Sequence, residues 1–198
     1  MTMKTLYITR HGQTLFNVLH RVQGASDSPL TALGIKQAIR AQAFIENVAF
    51  DHAYTSTQER ASDTLELLLN GKLPYERMKG LKEMNFGVFE GQSEQLNPPV
   101  ADYDTFFAEH NYGGETRKQV AERMNQTVLE IMNRSDNHTV LIVSHGAAIV
   151  NFLALYFDKS QFSSFGNLAT VKLHFDENKQ TFSLEELFRL AEQMSVNH

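Results

Sequence analysis

Two short, largely apolar runs constrain this chain most. They are Leu6-Tyr7-Ile8-Thr9 and Val140-Leu141-Ile142-Val143, and each leads through one further residue into a histidine and a glycine, Arg10-His11-Gly12 and Ser144-His145-Gly146. Short, nearly continuous apolar runs read as strands buried on both faces, as in a parallel sheet covered by helices. In such sheets ligands bind outside the carboxyl ends of the strands. The two histidines, remote in sequence, are therefore expected at one edge of one sheet.

The rest of the chain supplies the covering helices. Ala53-Tyr54-Thr55 is a third, weaker strand, and Thr31 is placed to cap a helix carrying Leu33, Ala38, Phe44 and Ile45. Ser56 and Glu59 have capping-box spacing and open a helix through Leu65, Leu68 and Leu69. Val120, Met124, Val128 and Ile131 recur with helical period, and Ala147 to Phe157 reads as a buried helix. Val171 to Phe175, the turn-like Asp176-Glu177-Asn178-Lys179 and Thr181 to Leu184 form an antiparallel hairpin at a sheet edge. The expected fold is α/β: a three-layer α/β/α sandwich with a mostly parallel central sheet and an antiparallel edge. At 198 residues the chain fits a single domain, 1–198.

One stretch breaks the rhythm. Residues 86–116 carry Pro98-Pro99, Gly113-Gly114 and the aromatics Phe89, Tyr103, Phe106, Phe107 and Tyr112. A long irregular segment in a compact domain is typically a lid or a binding loop, so it is read as an insertion over the site. Beyond Phe188 the sequence fits a short helix or a frayed tail.

Composition narrows the chemistry. A net charge of −5 argues against a nucleic-acid or acidic-membrane partner, since both demand a basic face. With no Cys, thiolate nucleophiles, disulfides and Cys-based metal sites are excluded. No run approaches the length of a membrane span and the first apolar run is too short for a signal peptide, so a cytoplasmic protein is expected.

The sheet edge gathers more than two imidazoles. Arg10 precedes His11, and Arg60 lies in the first turn of the helix after the third strand. Guanidinium grips phosphate with a planar fork, and helix N-termini attract anions. The site is built for a phosphoryl group. Taken singly, a His-Gly after a strand is a turn with a hydrogen-bonded imidazole, and Arg60 a surface residue pairing with Glu59 or Asp63. The other histidines, at 20, 52, 110, 138, 174 and 198, lack this setting and read as structural or solvated.

At this point the chain resembles the histidine phosphatase superfamily, also called phosphoglycerate-mutase-like. The resemblance is carried by Arg10-His11-Gly12-Gln13-Thr14 with Asn17, Arg21 and Gln23-Gly24, and by Asp27 to Gly34 with Gln37-Ala38. It continues in Ser56 to Ala61 with Thr64, in Leu81 to Gly87 with Glu90-Gly91, in Gly113-Gly114-Glu115-Thr116, and in Val143-Ser144-His145-Gly146. These blocks occur in order over most of residues 4–175. The resemblance implies that His11 is the nucleophile, that Arg10, Arg60 and His145 hold the non-bridging oxygens, and that Glu83 is the general acid and then base. It further implies that Asn17, Gly12, Arg21, Gln23, Gly24 and Gly146 surround the substrate. No cofactor and no metal are expected.

The activity the resemblance implies is hydrolysis of a phosphomonoester through a phosphohistidine, acting on a small phosphorylated metabolite, in a monomer or homodimer. A phosphoglycerate-type mutase is the alternative. It is disfavoured by the compact chain and by Gln13, where mutases of the family typically have Glu; the family's usual Trp in the acid block is Phe89 here. A metal-dependent hydrolase using His11, His145 and Glu83 or Asp27 is opposed by the adjacent arginines. A non-catalytic phosphate-binding module is opposed by the presence of every role. In the insertion, Lys118 is the one basic candidate among Asp102, Asp104 and Glu109, which suits a small or partly apolar monoester.

Overall fold

The structure, a computed structural model, describes residues 3–97, 102–110, 113–163 and 165–189. The elements run β1 (Met3–Arg10), α1 (Leu15–Val18), α2 (Ala32–Ile45), β2 (His52–Thr55), α3 (Glu59–Leu69), β3 (Tyr75–Arg77), α4 (Tyr103–His110), α5 (Arg117–Met132), β4 (Thr139–Ser144), α6 (Gly146–Leu153), β5 (Thr170–Asp176) and β6 (Thr181–Phe188). The six strands form one sheet in the order β3-β2-β4-β1-β5-β6. Strands β3, β2, β4 and β1 pair in parallel, and β5 and β6 add an antiparallel edge. The expected α/β sandwich is what the chain forms.

Its three layers follow from alternation along β1. Leu6 and Ile8 point into a core shared with α5 and α6, where Val120, Met124, Val128, Ile149 and Phe152 are fully buried. Tyr7 points the other way, into a core with Ala41, Ala61, Leu65 and Leu68 of α2 and α3. The helical stripe read from the sequence, Val120 to Ile131, is thus the buried face of α5. Burying such side chains stabilises by roughly 1.5–3 kcal/mol each.

Several boundaries differ from expectation. Thr31 does cap α2, accepting from the amide of Gly34 at 3.0 Å. Ser56 and Glu59, by contrast, form no capping box. The N-cap of α3 is Gln58, without a side-chain cap bond. Ser56 Oγ is engaged by His145 and by the Gln58 amide, and Glu59 pairs with Arg77. The apolar run Ala147 to Phe157 is helical only to Leu153; the chain then turns, and Leu155 is half exposed. Strand β3 and helix α4 lie in segments whose pattern gave no signal: β3 is three residues long and α4 interrupts the irregular insertion.

Within that insertion Phe107 is buried, and Phe86, Phe89, Tyr103 and Phe106 pack partly buried against the core. Pro98-Pro99, Tyr112, His198 and the segment after Arg189 lie outside the described residues, as does the side chain of His110. His20, His52 and His174 pair with Glu94, Asp136 and Glu185 on the surface, and His138 is exposed. Among the described residues no helix is long and apolar enough to cross a membrane.

Candidate active site

Strand register brings the two histidines together. β1 and β4 are adjacent and parallel, with Arg10 opposite Ser144, so His11 and His145 occupy the next rung. The His11 amide continues the ladder onto Ser144 O at 3.0 Å. The two rings lie with centroids 5.1 Å apart. His11 is 3% exposed and His145 fully buried.

The tautomer of His11 follows from its partners. Nδ1 lies 2.7 Å from the carbonyl oxygen of Gly12, which can only accept, so Nδ1 carries the hydrogen. Nε2 is left with its lone pair. The Nε–H of Arg60 points at that lone pair from 3.3 Å. Burial, then Arg60, then Arg10 hold the imidazole well below its ordinary value, so it is neutral at neutral pH. The same order of causes, burial first and then Arg60, His11 and Arg10, depresses His145. Its Nε2 shares a hydrogen bond with Ser56 Oγ at 2.7 Å, and its Nδ1 is buried with no partner among the described residues.

Arg60 is fully buried and already committed to the protein. Nη1 donates to Ser26 O and to Asp27 Oδ1, both at 2.9 Å. Nη2 donates to Gly24 O at 3.0 Å and more distantly to Gln23 O at 3.5 Å. Arg10 differs. Its Nη1 donates to Phe165 O at 2.8 Å, but its Nε is buried without a partner among the described residues. Burial is the main cause that lowers it from its ordinary value. Buried polar groups are normally satisfied, so Arg10 Nε and His145 Nδ1 are donors or acceptors held in reserve.

Glu83 lies close by and is 8% exposed. Oε1 accepts from the amides of Met84 and Ala148, each at 2.8 Å, and Oε2 from that of Ala147 at 3.0 Å. The amino end of α6 is therefore capped by this carboxylate, and that of α3 by Asp27 Oδ2, which accepts from the Glu59 amide at 2.6 Å. This corrects the expectation of helix ends left open for the anion: the site's own carboxylates fill them.

The remaining candidates divide. Asn17, Arg21 and Gln23 line a cavity of about 480 Å³ with Arg10, Glu83, Phe86 and Tyr103. Gly146 lines a second cavity, about 680 Å³, which shares Arg10, Glu83, Phe86 and Tyr103 with the first. A side chain on Gly146 would put Cβ 3.2 Å from Arg10 Nε, so the glycine leaves room for the guanidinium. Gly12 and Gly24 line neither cavity. The Gly12 amide donates to Thr64 Oγ1 at 3.0 Å. Gly24 packs so closely that a Cβ would fall 2.0 Å from Met84 O. Lys118 is solvent-facing beside Glu122, whereas its neighbour Arg117 lines the larger cavity.

Sequence reasoning passed over several supports. Asn167 Nδ2 donates to His11 O at 3.1 Å and to Asn17 Oδ1 at 3.3 Å. Gln58 Oε1 accepts from the Glu83 amide at 2.9 Å, and its Nε2 donates to Gly24 O. Arg123 Nη2 holds the carbonyl of Glu83 at 2.9 Å. Glu90, quoted only as part of a motif, accepts from Gly24, Ala25, Ser26 and Phe86 amides and from Ser26 Oγ. None of these contacts has a sequence period to betray it.

Known proteins are similar to this chain in sequence and fold. The sequence profile of the histidine phosphatase superfamily (branch 1) matches residues 6–186. A protein of Yersinia pestis (strain Pestoides F) named "Probable phosphoglycerate mutase GpmB" is 30% identical over 154 residues, 74% of this chain and 72% of its own. The crystal structure of phosphoglycerate mutase from Bacillus anthracis superposes with a TM-score of 0.83 at 27% identity, covering 96% of this chain and 95% of the other. Phosphoserine phosphatase from Entamoeba histolytica, in complex with phosphoserine, superposes at 0.78 and 27% identity, covering 96% and 98%. With the histidines, arginines and glutamate placed as described, the chain belongs to the histidine phosphatase superfamily and is an enzyme of it.

Proposed function

We propose that this enzyme hydrolyses small phosphomonoesters through a phosphohistidine on His11, without a metal ion. The observation that carries the reading is the fixed tautomer of His11: Nδ1–H on the Gly12 carbonyl, a neutral ring and a lone pair on Nε2.

His11 Nε2 attacks phosphorus in line, forming the N–P bond as the ester O–P bond breaks. Glu83 gives its proton to the departing alcohol oxygen. A water then attacks phosphorus, the N–P bond breaks, and Glu83 takes the water's proton. Inorganic phosphate and neutral His11 result. Arg10, with its unspent Nε, His145 and Arg60 stabilise the charge on the non-bridging oxygens. Asn17, Arg21, Gln23 and Gly146 are the proposed substrate contacts, with Gly12 and Gly24 holding the backbone of the site. Residues 86–116 act as a lid, in which Phe86 and Tyr103 face both cavities.

A metal ion fits the donor set poorly. Asp27 is paired with Arg60 and Glu83 is capped by amides, and among the described residues no three His, Asp or Glu side chains cluster as ligands. Transfer to a second hydroxyl, as in a mutase, is the other reading, favoured by the relatives named for that activity.

Turnover of 4-nitrophenyl phosphate with and without chelator, in wild type and His11→Ala, tests the proposal. Metal-independent hydrolysis that the substitution reduces to background is expected, with an acid-labile, alkali-stable phosphoryl adduct trapped on the protein. Loss of activity to chelator, or full activity without His11, overturns it. Interconversion of 2- and 3-phosphoglycerate faster than hydrolysis selects the mutase.

A further inference from the structure

The larger cavity carries a positive charge that the chemistry at phosphorus does not use. From Arg10 and Glu83 it extends between the apolar walls Val150, Phe162 and Phe165 to Arg117, Lys159 and Ser160. Arg117 is neutralised there: its Nε and Nη2 both lie 2.9 Å from Asp104 Oδ2, and its amide donates to Asp104 Oδ1 at 2.7 Å. Lys159 is not. It is an exposed residue on the rim of the cavity whose ammonium has only the amide oxygen of Asn151, at 3.5 Å, and among the described residues no carboxylate pairs with it. The charged groups around it are Arg117 and Asp104, so two cations face one anion and one positive charge is left over. Burial, then the nearby Arg117, pushes the ammonium below its ordinary value, as expected for a cation lacking a counter-ion.

We propose that Lys159 is a subsite for a single carboxylate on the leaving alcohol, so that the preferred substrates are phosphorylated small hydroxy acids. The inference rests on the phosphatase reading for the scissile end alone. One uncompensated cation matches a monoanion. A second phosphate dianion would bring a charge with no partner between apolar walls. The neutral esters that also fit the cavity gain nothing from Lys159.

The test compares 3-phosphoglycerate with glycerol 3-phosphate, which has the same three carbons but a hydroxymethyl group in place of the carboxylate. Binding is measured calorimetrically to His11→Ala, with Lys159 intact or changed to Met or Arg. The carboxylated ester binds about tenfold tighter when Lys159 is present, the scale of one charge-assisted hydrogen bond at a partly exposed site. Lys159→Met brings the ratio near one and Lys159→Arg restores it. Equal affinities with Lys159 intact, no binding of either ester, or a ratio indifferent to Lys159→Met overturns the proposal. Should His11→Ala not fold, the same ratio is read in wild type as competition against 4-nitrophenyl phosphate. Failure of the phosphatase reading shows separately, as absence of chromogenic turnover by wild type.

Discussion

Arg60 Nε lies 3.3 Å from His11 Nε2, and the other nitrogens of its guanidinium are bound to residues 23–27. The arginine is thus fixed beside the nucleophile before any substrate arrives, and ordering costs nothing at the moment of reaction. Arg60→Lys keeps a charge but loses the fork. Loss of about a hundredfold or more in kcat/KM is expected, with about 1–3 kcal/mol of stability for carbonyls left without donors. Kinetics with urea unfolding measures both; near-wild-type values in each would show that a point charge suffices.

Glu90 works one step further out. It gathers the amides of the loop whose carbonyls hold Arg60. Glu90→Gln sets an NH2 among those donors, so the loop loosens. We expect a loss of about 1–3 kcal/mol and a drop in kcat of about tenfold from misplacement of Arg60. Glu90→Asp, which keeps the charge, should recover part of the activity; no recovery would argue that the carboxylate merely fills space.

Both buried histidines make stability depend on pH. Their native forms resist protonation, whereas in the unfolded chain each takes up a proton near the ordinary value of 6.5. The unfolded state therefore binds more protons below that pH. The stabilisation is complete above 6.5 and declines as pH falls, by about 1.4 kcal/mol per unit for each histidine. His145→Gln should remove one share of this slope between pH 7 and 5, as measured by urea midpoints. Identical slopes would mean that His145 titrates normally. By the same logic the nucleophile stays neutral below 6.5, so protonation of His11 should not limit kcat/KM at mildly acidic pH.

Glu83→Gln removes the acid and also sets an NH2 against an amide of α6, so the dependence on the leaving group is what separates acid catalysis from architecture. A poor leaving group needs its proton and a good one does not. Turnover of alkyl phosphates should fall about 10²–10⁴-fold, that of 4-nitrophenyl phosphate far less in the phosphorylation step. A uniform loss across leaving groups would leave Glu83 as a cap on α6 and no more.

What the sequence determined by itself was local and periodic. The apolar runs at Leu6 and Val140, the stripe from Val120 to Ile131 and the cap at Thr31 each follow from patterns within a few residues, and each became the expected element. The two His-Gly pairs at strand ends also sufficed to place His11 and His145 at one sheet edge. Tertiary structure decided what those side chains do to one another. The register of Arg10 on Ser144 set the distance between the rings, and loop 23–27 satisfied Arg60. Ser56 was drawn from capping α3 to His145, and a turn after Leu153 put Lys159 in a cavity wall. Hydrogen-bond partners between remote segments are fixed by packing, and a partner chosen in three dimensions leaves no period in one.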